Sequence, residues 1–329
     1  MERILRYAVD SRFEGRTVYD FLLDQGFSAK NIIYLKKLPE SILLNGAAVF
    51  VNKRLAPQDE LCIRIFDNSA SSIEPVPFDL SVLYEDEDLL IVNKPWGMPA
   101  IPSMYHHADS LANAVCAYFA DSGQNFVYRP VNRLDKNTSG LMLIAKHVIS
   151  AAMLSTLGAK GGISKTYTAI VTGSLPAQGT IDAPIARQDD SLITRCVDFE
   201  KGSRAVTHYR VLEQKNEYAL VSVCLETGRT HQIRVHFSHI GHPLAGDDLY
   251  GGSRVDMTRH ALHAESMSFT QPLTGQQISC HAPMPEDMVA FWDRQSSCIS
   301  HPQVSLSDPL PKVGMDLLLG ASSQPQSSS

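Results

Sequence analysis

The chain has 329 residues, of which 44% are hydrophobic and 19% charged, as in an ordinary soluble globular protein. That length is too great for one small domain and short for three. The formal net charge of -6 at pH 7 argues against a general nucleic-acid coat protein, although it is compatible with a local basic cleft.

Two further features of the sequence bear on location. The opening residues MERILRYAVDSRFEG lack a secretory signal pattern, and no apolar run approaches the roughly 18 residues of a membrane helix. The cysteines are scattered and form no CxxC pair, which disfavours a disulfide framework or a zinc knuckle. We therefore expect a cytoplasmic protein that does not associate with membranes.

Residues 1–70 combine two short helical patterns with a hairpin signal. The segment TVYDFLLDQGFS places apolar residues at helical spacing before Gly26, which is a stop signal. The segment AKNIIYLKKL is typical of a second short helix. Asn45 and Gly46 stand between two short strand-like runs and predict a tight hairpin turn.

The remainder of the chain divides into a linker, a larger domain and a tail. Residues 71–80 are predicted to be a linker and residues 81–295 a domain rich in strands. Strand-like runs are DLLIVNK, LMLIAK, TYTAIVTG, THYRVLE, YALVSVCLE and HQIRVHF, whereas SLANAVCAYFA and VISAAMLSTLGA are typical of helices. Many strands with few, irregularly placed helices indicate an α+β fold with a mixed, mostly antiparallel sheet. Residues 296–329, rich in Ser, Pro and Gln, are predicted to be disordered.

The segment PVNRLDKNTSG, residues 130–140, carries two charged residues just before a core strand. Arg133 and Asp135 lie two apart, and the apolar run LMLIA follows directly. An aspartate in such a position commonly hydrogen-bonds the nearby backbone of a turn. The alternative is a catalytic loop held on a rigid strand, and the residues by themselves favour the turn.

The segment RTHQIRVHF, residues 229–237, is predicted to be a strand. Alternation then places Arg229 on the same face as Ile233, Val235 and Phe237, which indicates that this face is buried. A buried guanidinium requires a carboxylate partner, because an unpaired buried charge is strongly destabilising. Asp135 is one candidate, and the residues by themselves do not select it.

Two weaker signals each have an ordinary explanation. The histidines at 231, 236, 239 and 242 are either a metal site or four unrelated side chains. On one strand His231 and His236 face opposite sides, and no Cys or carboxylate stands at a familiar ligand spacing, so we expect no metal. Tyr167 lies in the strand-like run SKTYTAIVTG, where a single tyrosine more often packs than catalyses.

Taken together and in order, these segments resemble one family. VNRLDKNTSGLMLIAK, SKTYTAIVTG and LETGRTHQIRVHFSHIGHPLAGDDLYGG are similar to the three signature motifs of RNA pseudouridine synthases. The branch is the one whose members carry an Arg-Leu-Asp core motif and modify ribosomal or transfer RNA. LLIVNKPWGMPAIPS is similar to the family's opening strand and Lys-Pro loop. The N-terminal 70 residues resemble a degenerate S4-type RNA-binding module.

The resemblance implies roles for particular residues. Asp135 would be the catalytic aspartate, and Arg133 would fill the gap that the flipped target base leaves in the RNA stack. Tyr167 would lie against the uracil and transfer a proton, and Arg229 would pair with Asp135. The family usually has His where this chain has Asn132, which puts any role of a protonated imidazole there in doubt.

Further RNA contacts are expected from two groups of residues. Close to the site, contacts with RNA or the base are implied for Asn132, Leu225 and Lys165. In the N-terminal module, phosphate contacts are predicted for Lys30, Lys36, Lys37, Lys53 and Arg54. A solvated charged face is the alternative for this second group, since acidic residues dilute it.

The implied function is isomerisation of specific uridines in structured ribosomal or transfer RNA after base flipping. The reaction needs no cofactor, the partner is RNA, and we expect a monomer. Two alternatives remain: a non-catalytic RNA-binding or ribosome-assembly factor on the same fold, and a metal hydrolase that uses the histidines. The motifs do not identify the target uridine, because RNA shape and loop context determine specificity.

Overall fold

The computed structural model describes residues 2–295 except 68–70, 122, 124–125, 192 and 256. The predicted tail, residues 296–329, lies outside the described residues. Within the described part of the chain, none of the helices has the length and apolar character needed to span a membrane.

The N-terminal unit is a four-stranded sheet covered by two helices. Its elements are β1 (Glu2–Ala8), α1 (Val18–Asp24), α2 (Ala29–Lys36), β2 (Ile42–Leu44), β3 (Ala47–Ala48) and β4 (Glu60–Phe66), with strand order β1-β4-β2-β3. Each helix begins at a capping box, Thr17 with Asp20 and Ser28 with Asn31. Both predicted helices and the Asn45-Gly46 hairpin are therefore confirmed, because their signals are local.

The large unit contains a ten-stranded sheet. Its strands are β5 (Val82–Glu85), β6 (Leu89–Lys94), β7 (Arg129–Pro130), β8 (Ser139–Ala145), β9 (Ile163–Thr172), β10 (Gln178–Asp182), β13 (Val206–Lys215), β14 (Tyr218–Leu225), β15 (Leu262–Thr270) and β16 (Gln277–His281). The main path is β10-β13-β14-β9-β15-β8-β6-β5, with β16 paired to β15 and β7 to β8. A separate hairpin pairs β11 (Ile185–Arg187) with β12 (Arg195–Val197).

Four helices complete the large unit, and the pairing pattern confirms the predicted fold class. The helices are α3 (Leu111–Ala120), α4 (Val148–Ala159), α5 (Gln232–His239) and α6 (Glu286–Asp293). Every strand pair of the described sheet is antiparallel except β8 with β15. The fold is thus α+β with a mixed, mostly antiparallel sheet.

The parallel contact between β8 and β15 brings two backbones unusually close. Gly140 on β8 has φ 112°, and a Cβ there would lie 2.2 Å from the carbonyl oxygen of Ala264. Only glycine allows that approach. The loop that precedes β8 is therefore anchored beside the middle strands of the sheet.

The predicted strand at residues 229–237 is wrong. The segment is a turn followed by α5, and all residues from Gln232 to Phe237 are buried. A helix buried on nearly all sides gives no periodic contrast, so the alternation of Ile233, Val235 and Phe237 matched a strand only by coincidence. Arg229 precedes the helix and is exposed.

The two units are joined by a buried polar cluster as well as by the chain. Asp88 accepts hydrogen bonds from Arg3 Nε at 2.8 Å, His147 Nε2 at 2.9 Å and Gln271 Nε2 at 2.8 Å. The Asp88 side chain is 1% exposed. Burial alone would raise its pKa, but the hydrogen bonds from His147 and Arg3 lower it to about 2.

Apolar packing adds to this junction. Ile149 and Met153 of α4 belong to the same buried cluster as the helices and strands of the N-terminal unit. The predicted linker also packs on the large unit, since Ile73 and Leu80 contact its core and Val76 N donates to Asn113 O. The N-terminal unit is therefore docked on the large unit.

Candidate active site

The loop between β7 and β8, residues 131–138 and here called the aspartate loop, is fixed to the strand that follows it. Asn132 Nδ2 donates to Leu141 O at 3.1 Å, and Asn132 Oδ1 accepts from Leu143 N at 2.8 Å. Thr138 N donates to Asp135 O at 3.1 Å, which closes a turn. Both polar ends of Asn132 are thus used by the backbone of β8. The predicted contact of this side chain with RNA stays a prediction, and in this structure the amide holds the loop.

Asp135 lies at the tip of this loop and faces the turn before α5. Its Oδ2 accepts from Arg234 Nη1 at 3.1 Å, and His231 Nε2 lies 3.6 Å from the same oxygen. The Asp135 side chain is 28% exposed, so it is open to a ligand. Among the described residues no hydrogen bond reaches Oδ1. One carboxylate oxygen is therefore held and the other is available.

Arg234 bridges two carboxylates. Its Nε and Nη2 donate to the two oxygens of Asp247 at 2.7 and 2.8 Å, and its guanidinium lies 4.9 Å from the centre of the Tyr250 ring. The side chains of Arg234 and Asp247 are 7% and 0% exposed. Burial alone would lower the pKa of Arg234, but hydrogen bonding and the charges of Asp247 and Asp135 raise it above its usual value. Arg234 is a permanent cation that orients Asp135.

The predicted pairing of Arg229 with Asp135 is wrong. Arg229 Nε donates to Arg204 O at 3.0 Å, and its side chain is exposed before the start of α5. The requirement that a buried arginine have a carboxylate partner was sound, but the buried arginine is Arg234, which lies on the helix α5. The signal that would have found it is Arg234 itself, since an arginine inside an apolar run also needs a carboxylate.

Tyr167 on β9 forms part of the wall near Asp135. It is 7% exposed and lies opposite Val223 of β14 and Ala264 of β15 in the strand register. Burial, followed by the negative charge of Asp135, raises its pKa to about 12. The hydroxyl is therefore a phenol, not a phenolate, at neutral pH.

Lys94 hydrogen-bonds the backbone of the aspartate loop and was not identified from the sequence. Its ammonium donates to Pro95 O and Met98 O at 2.8 Å each and to Lys136 O at 3.2 Å, and the residue is fully buried. Burial lowers its pKa to about 7, against the opposing effect of Asp135. These bonds tie the loop after β6 to the residue that follows Asp135.

A second buried group holds the far end of the aspartate loop. Arg259 pairs with Asp287 through Nε at 2.7 Å and Nη2 at 3.0 Å, and its Nη1 donates to Asn137 O at 3.0 Å. Thr138 Oγ1 lies 2.8 Å from His260 Nε2. Burial and then the neighbouring cations lower the pKa of His260 to about 2, so this imidazole is neutral. The aspartate loop is consequently held at its start by Asn132, at Lys136 by Lys94, and at its end by Arg259 and His260.

The other predicted contact residues fall in three places. Arg133 is exposed on the aspartate loop. Leu225 ends β14, and Lys165 lies on β9 with its pKa lowered by burial. The N-terminal cations are exposed on the small unit; they are Lys30, Lys36, Lys37, Lys53 and Arg54.

The histidines do not form a cluster. His236 is buried and bonds Thr207 Oγ1 and Ala183 O, whereas His242 bonds Thr172 O. His239 is exposed, and only His231 reaches Asp135. Across the residues that the structure describes, no three His, Cys, Asp or Glu side chains group as metal ligands.

Comparisons with known proteins bear on this site. Residues 88–239 match the family model described as RNA pseudouridylate synthase. The uncharacterized RNA pseudouridine synthase YjbO of Bacillus subtilis is 41% identical over 276 residues, which cover 83% of this chain and 96% of that protein. The ribosomal large subunit pseudouridine synthase D of Zymomonas mobilis is 41% identical, with 65% and 72% covered.

A solved structure is also similar. Human RNA pseudouridylate synthase domain containing 1 superposes with a TM-score of 0.52 at 28% sequence identity. The match covers 64% of this chain and 86% of that one.

Proposed function

The chain belongs to the RNA pseudouridine synthase family and isomerises uridine in RNA to pseudouridine, and we propose that Asp135 is its catalytic residue. The observation that carries this proposal is the geometry of the carboxylate. Oδ2 is held by Arg234, whose remaining donors are fixed by buried Asp247, and no hydrogen bond from the described residues reaches Oδ1. A carboxylate oriented in this way is prepared to act as a nucleophile or a base.

The chemistry explains why a fixed carboxylate suffices. The N1–C1′ glycosidic bond breaks, the uracil rotates, and a C5–C1′ bond forms, so no electrons enter or leave. The proton on C5 must then be removed and one must be placed on N1. Arg234 compensates the charge of Asp135 throughout and keeps the carboxylate aimed at the ribose or base.

Tyr167 contributes to handling the uracil. Its phenol stays protonated at neutral pH because its pKa is raised to about 12. We propose that its ring packs against the base and that its hydroxyl relays the C5 proton, accepting that proton while its own proton passes to solvent, from which N1 is protonated. A free phenolate is not required.

Arg133 is the proposed replacement for the flipped base. It is exposed on the loop that carries Asp135. A target base must leave the stack to react, and a planar guanidinium refills the gap that remains. Lys136, exposed on the same loop and 3.1 Å from His106 Nε2, would contact the adjacent phosphate.

We propose that the N-terminal unit is an S4-like RNA-binding domain over residues 1–70. Its support is an exposed set of cations, Lys30, Lys36 and Lys37 on α2 and its C-cap and Lys53 and Arg54 between β3 and β4, which suits phosphate contact without base reading. We further propose that the chain acts as a cytoplasmic monomer.

Ribosomal RNA is the proposed substrate, because the Zymomonas relative is named for the large ribosomal subunit. The test is pseudouridine mapping of total RNA from cells with and without this gene, followed by purified protein on the RNA that lacks the modification. We expect a uridine in ribosomal RNA to be converted by the wild type and not by Asp135→Asn. Conversion confined to transfer RNA would refute the substrate, and an active Asp135→Asn would refute the catalytic assignment.

A further inference from the structure

We propose that His231 is a positioning residue for Asp135, and that Tyr250 holds it in place and connects it to the β11–β12 hairpin. The proposal rests on the proposed catalytic role of Asp135. It concerns residues that the pairing of Asp135 with Arg234 leaves unexplained.

The backbone of His231 is the first observation. It lies in the left-handed region, with φ 57° and ψ 17°, at the residue just before α5. A side chain with a Cβ is strained there, and such strain persists only where surrounding contacts require it. His231 makes no capping hydrogen bond to α5. Its side chain is instead directed towards Asp135 and Tyr250, which indicates that these contacts maintain the conformation.

The hydrogen bonds determine which nitrogen of the imidazole carries the proton. Arg195 N donates to the Tyr250 hydroxyl at 3.0 Å, and that hydroxyl lies 2.8 Å from His231 Nδ1. The hydroxyl then donates its own proton to Nδ1, since this satisfies both groups. In the neutral imidazole the remaining proton is on Nε2, which faces Asp135 Oδ2 at 3.6 Å.

That last distance is too long for a hydrogen bond in the free enzyme. Catalytic contacts often tighten only when substrate is bound, and we infer that the partly exposed Asp135 closes on Nε2 in that state. Nε2 and Arg234 Nη1 would then hold Oδ2 from two directions. A second donor from another direction would restrict rotation of the carboxylate more than Arg234 does alone.

The charged and titratable groups around His231 support the neutral form. Burial lowers its pKa, and Arg234 and Arg195 lower it further, whereas the charges of Asp135 and Asp247 oppose this. Tyr250, whose pKa burial raises, remains a phenol. At neutral pH His231 therefore donates one proton without adding a positive charge next to Asp135.

The same bonds join the hairpin to the site. Arg195 opens β12, and hydrogen bonds connect its backbone through Tyr250 to His231, whose Nε2 faces Asp135. The β11–β12 hairpin is separate from the main sheet. Displacing the hairpin would release the Tyr250 hydroxyl and, with it, the orientation of the imidazole.

The test compares variants in single-turnover pseudouridine formation on ribosomal RNA from cells that lack the gene, with RNA affinity and pH profile measured in parallel. His231→Asn is the principal variant, because Asn tolerates the left-handed backbone but cannot reach both partners. His239→Asn, on the exposed end of α5, is the matched control. Tyr250→Phe removes only the hydroxyl, so it remains informative if His231→Asn fails to fold.

We expect His231→Asn to slow the rate by up to about 100-fold with unchanged RNA affinity, the scale of a misplaced catalytic group. The acidic side of its pH profile should also shift. Tyr250→Phe should be slower than wild type, and the double variant no slower than His231→Asn alone. A wild-type rate and pH profile in His231→Asn, or additive losses in the double variant, would overturn the proposal. Asp135→Asn, assayed alongside, tests the proposed catalytic role separately.

Discussion

Replacing Arg234 by methionine tests the pairing at the centre of the site. The change removes the only cation that the described structure places between Asp135 and Asp247. Asp135 is partly exposed and regains water, whereas the Asp247 side chain is 0% exposed and does not. The stranded charge is therefore on Asp247.

The size of the effect follows from that burial. Removing one partner of a buried ion pair typically lowers the free energy of unfolding by about 3–5 kcal/mol. Asp247→Asn in the same chain removes the stranded charge, so the double variant should recover part of the loss. Arg234→Lys should keep most of the stability, but one ammonium cannot reproduce the three bonds, and we expect at least about a tenfold slower rate, or 1.4 kcal/mol.

The assay is urea unfolding of the single and double variants, with the rate measured for Arg234→Lys. Arg229→Met is the matched control: it makes the same replacement five residues earlier, at an exposed side chain, and should change stability by no more than about 0.5 kcal/mol. The reasoning is refuted if the losses of Arg234→Met and Asp247→Asn simply add, or if Arg229→Met is as destabilising as Arg234→Met.

Three further predictions concern chemistry, RNA binding and pH. Asp135→Asn should abolish turnover while RNA affinity and melting temperature stay close to wild type; residual activity within about tenfold, or 1.4 kcal/mol, contradicts the assignment. Changing Lys36, Lys37 and Lys53 together to Ala should reduce the slope of log affinity against log salt by about 2, as expected for two or three lost phosphate contacts. Conversion at saturating RNA should be retained. An unchanged slope would indicate that these lysines form a solvated face that does not contact RNA. Asp88 has its pKa lowered to about 2, so its contribution to stability is present above the unfolded pKa and is lost as pH falls from about 4 towards 2. Over that range the free energy of unfolding, measured with urea, should fall by about 2 kcal/mol more in wild type than in Asp88→Asn. Parallel pH curves for the two proteins would exclude the effect.

Sequence reasoning succeeded where the signal was local. The capped helices and the Asn45-Gly46 turn are determined by residues within a few positions of one another. The aspartate loop was recognised by its resemblance to a family, not by its own residues, since an aspartate before a strand is ordinarily a turn residue. The loop's attachment to Lys94 was not foreseen, because its acceptors are backbone carbonyls that no residue pattern encodes.

The error at Arg229 has a physical origin. Three alternating apolar residues, Ile233, Val235 and Phe237, do not distinguish a strand from a fully buried helix. The choice between Arg229 and Arg234 depended on that distinction. The partner Asp247 was equally out of reach, since it follows a glycine-containing loop whose path is determined by contacts distant in the chain.

The buried Asp88 cluster fixes the spacing between the two units of the protein. It holds β1 of the N-terminal unit, the start of β6 and the start of α4 in one assembly, so the two units cannot swing independently without breaking it. The lysines of the small unit therefore lie at a fixed distance from Asp135. An RNA that touches both must bring its phosphates and its reactive uridine to a set separation. If the proposed phosphate contacts of the small unit are made, this separation is one feature by which the protein can select between RNAs.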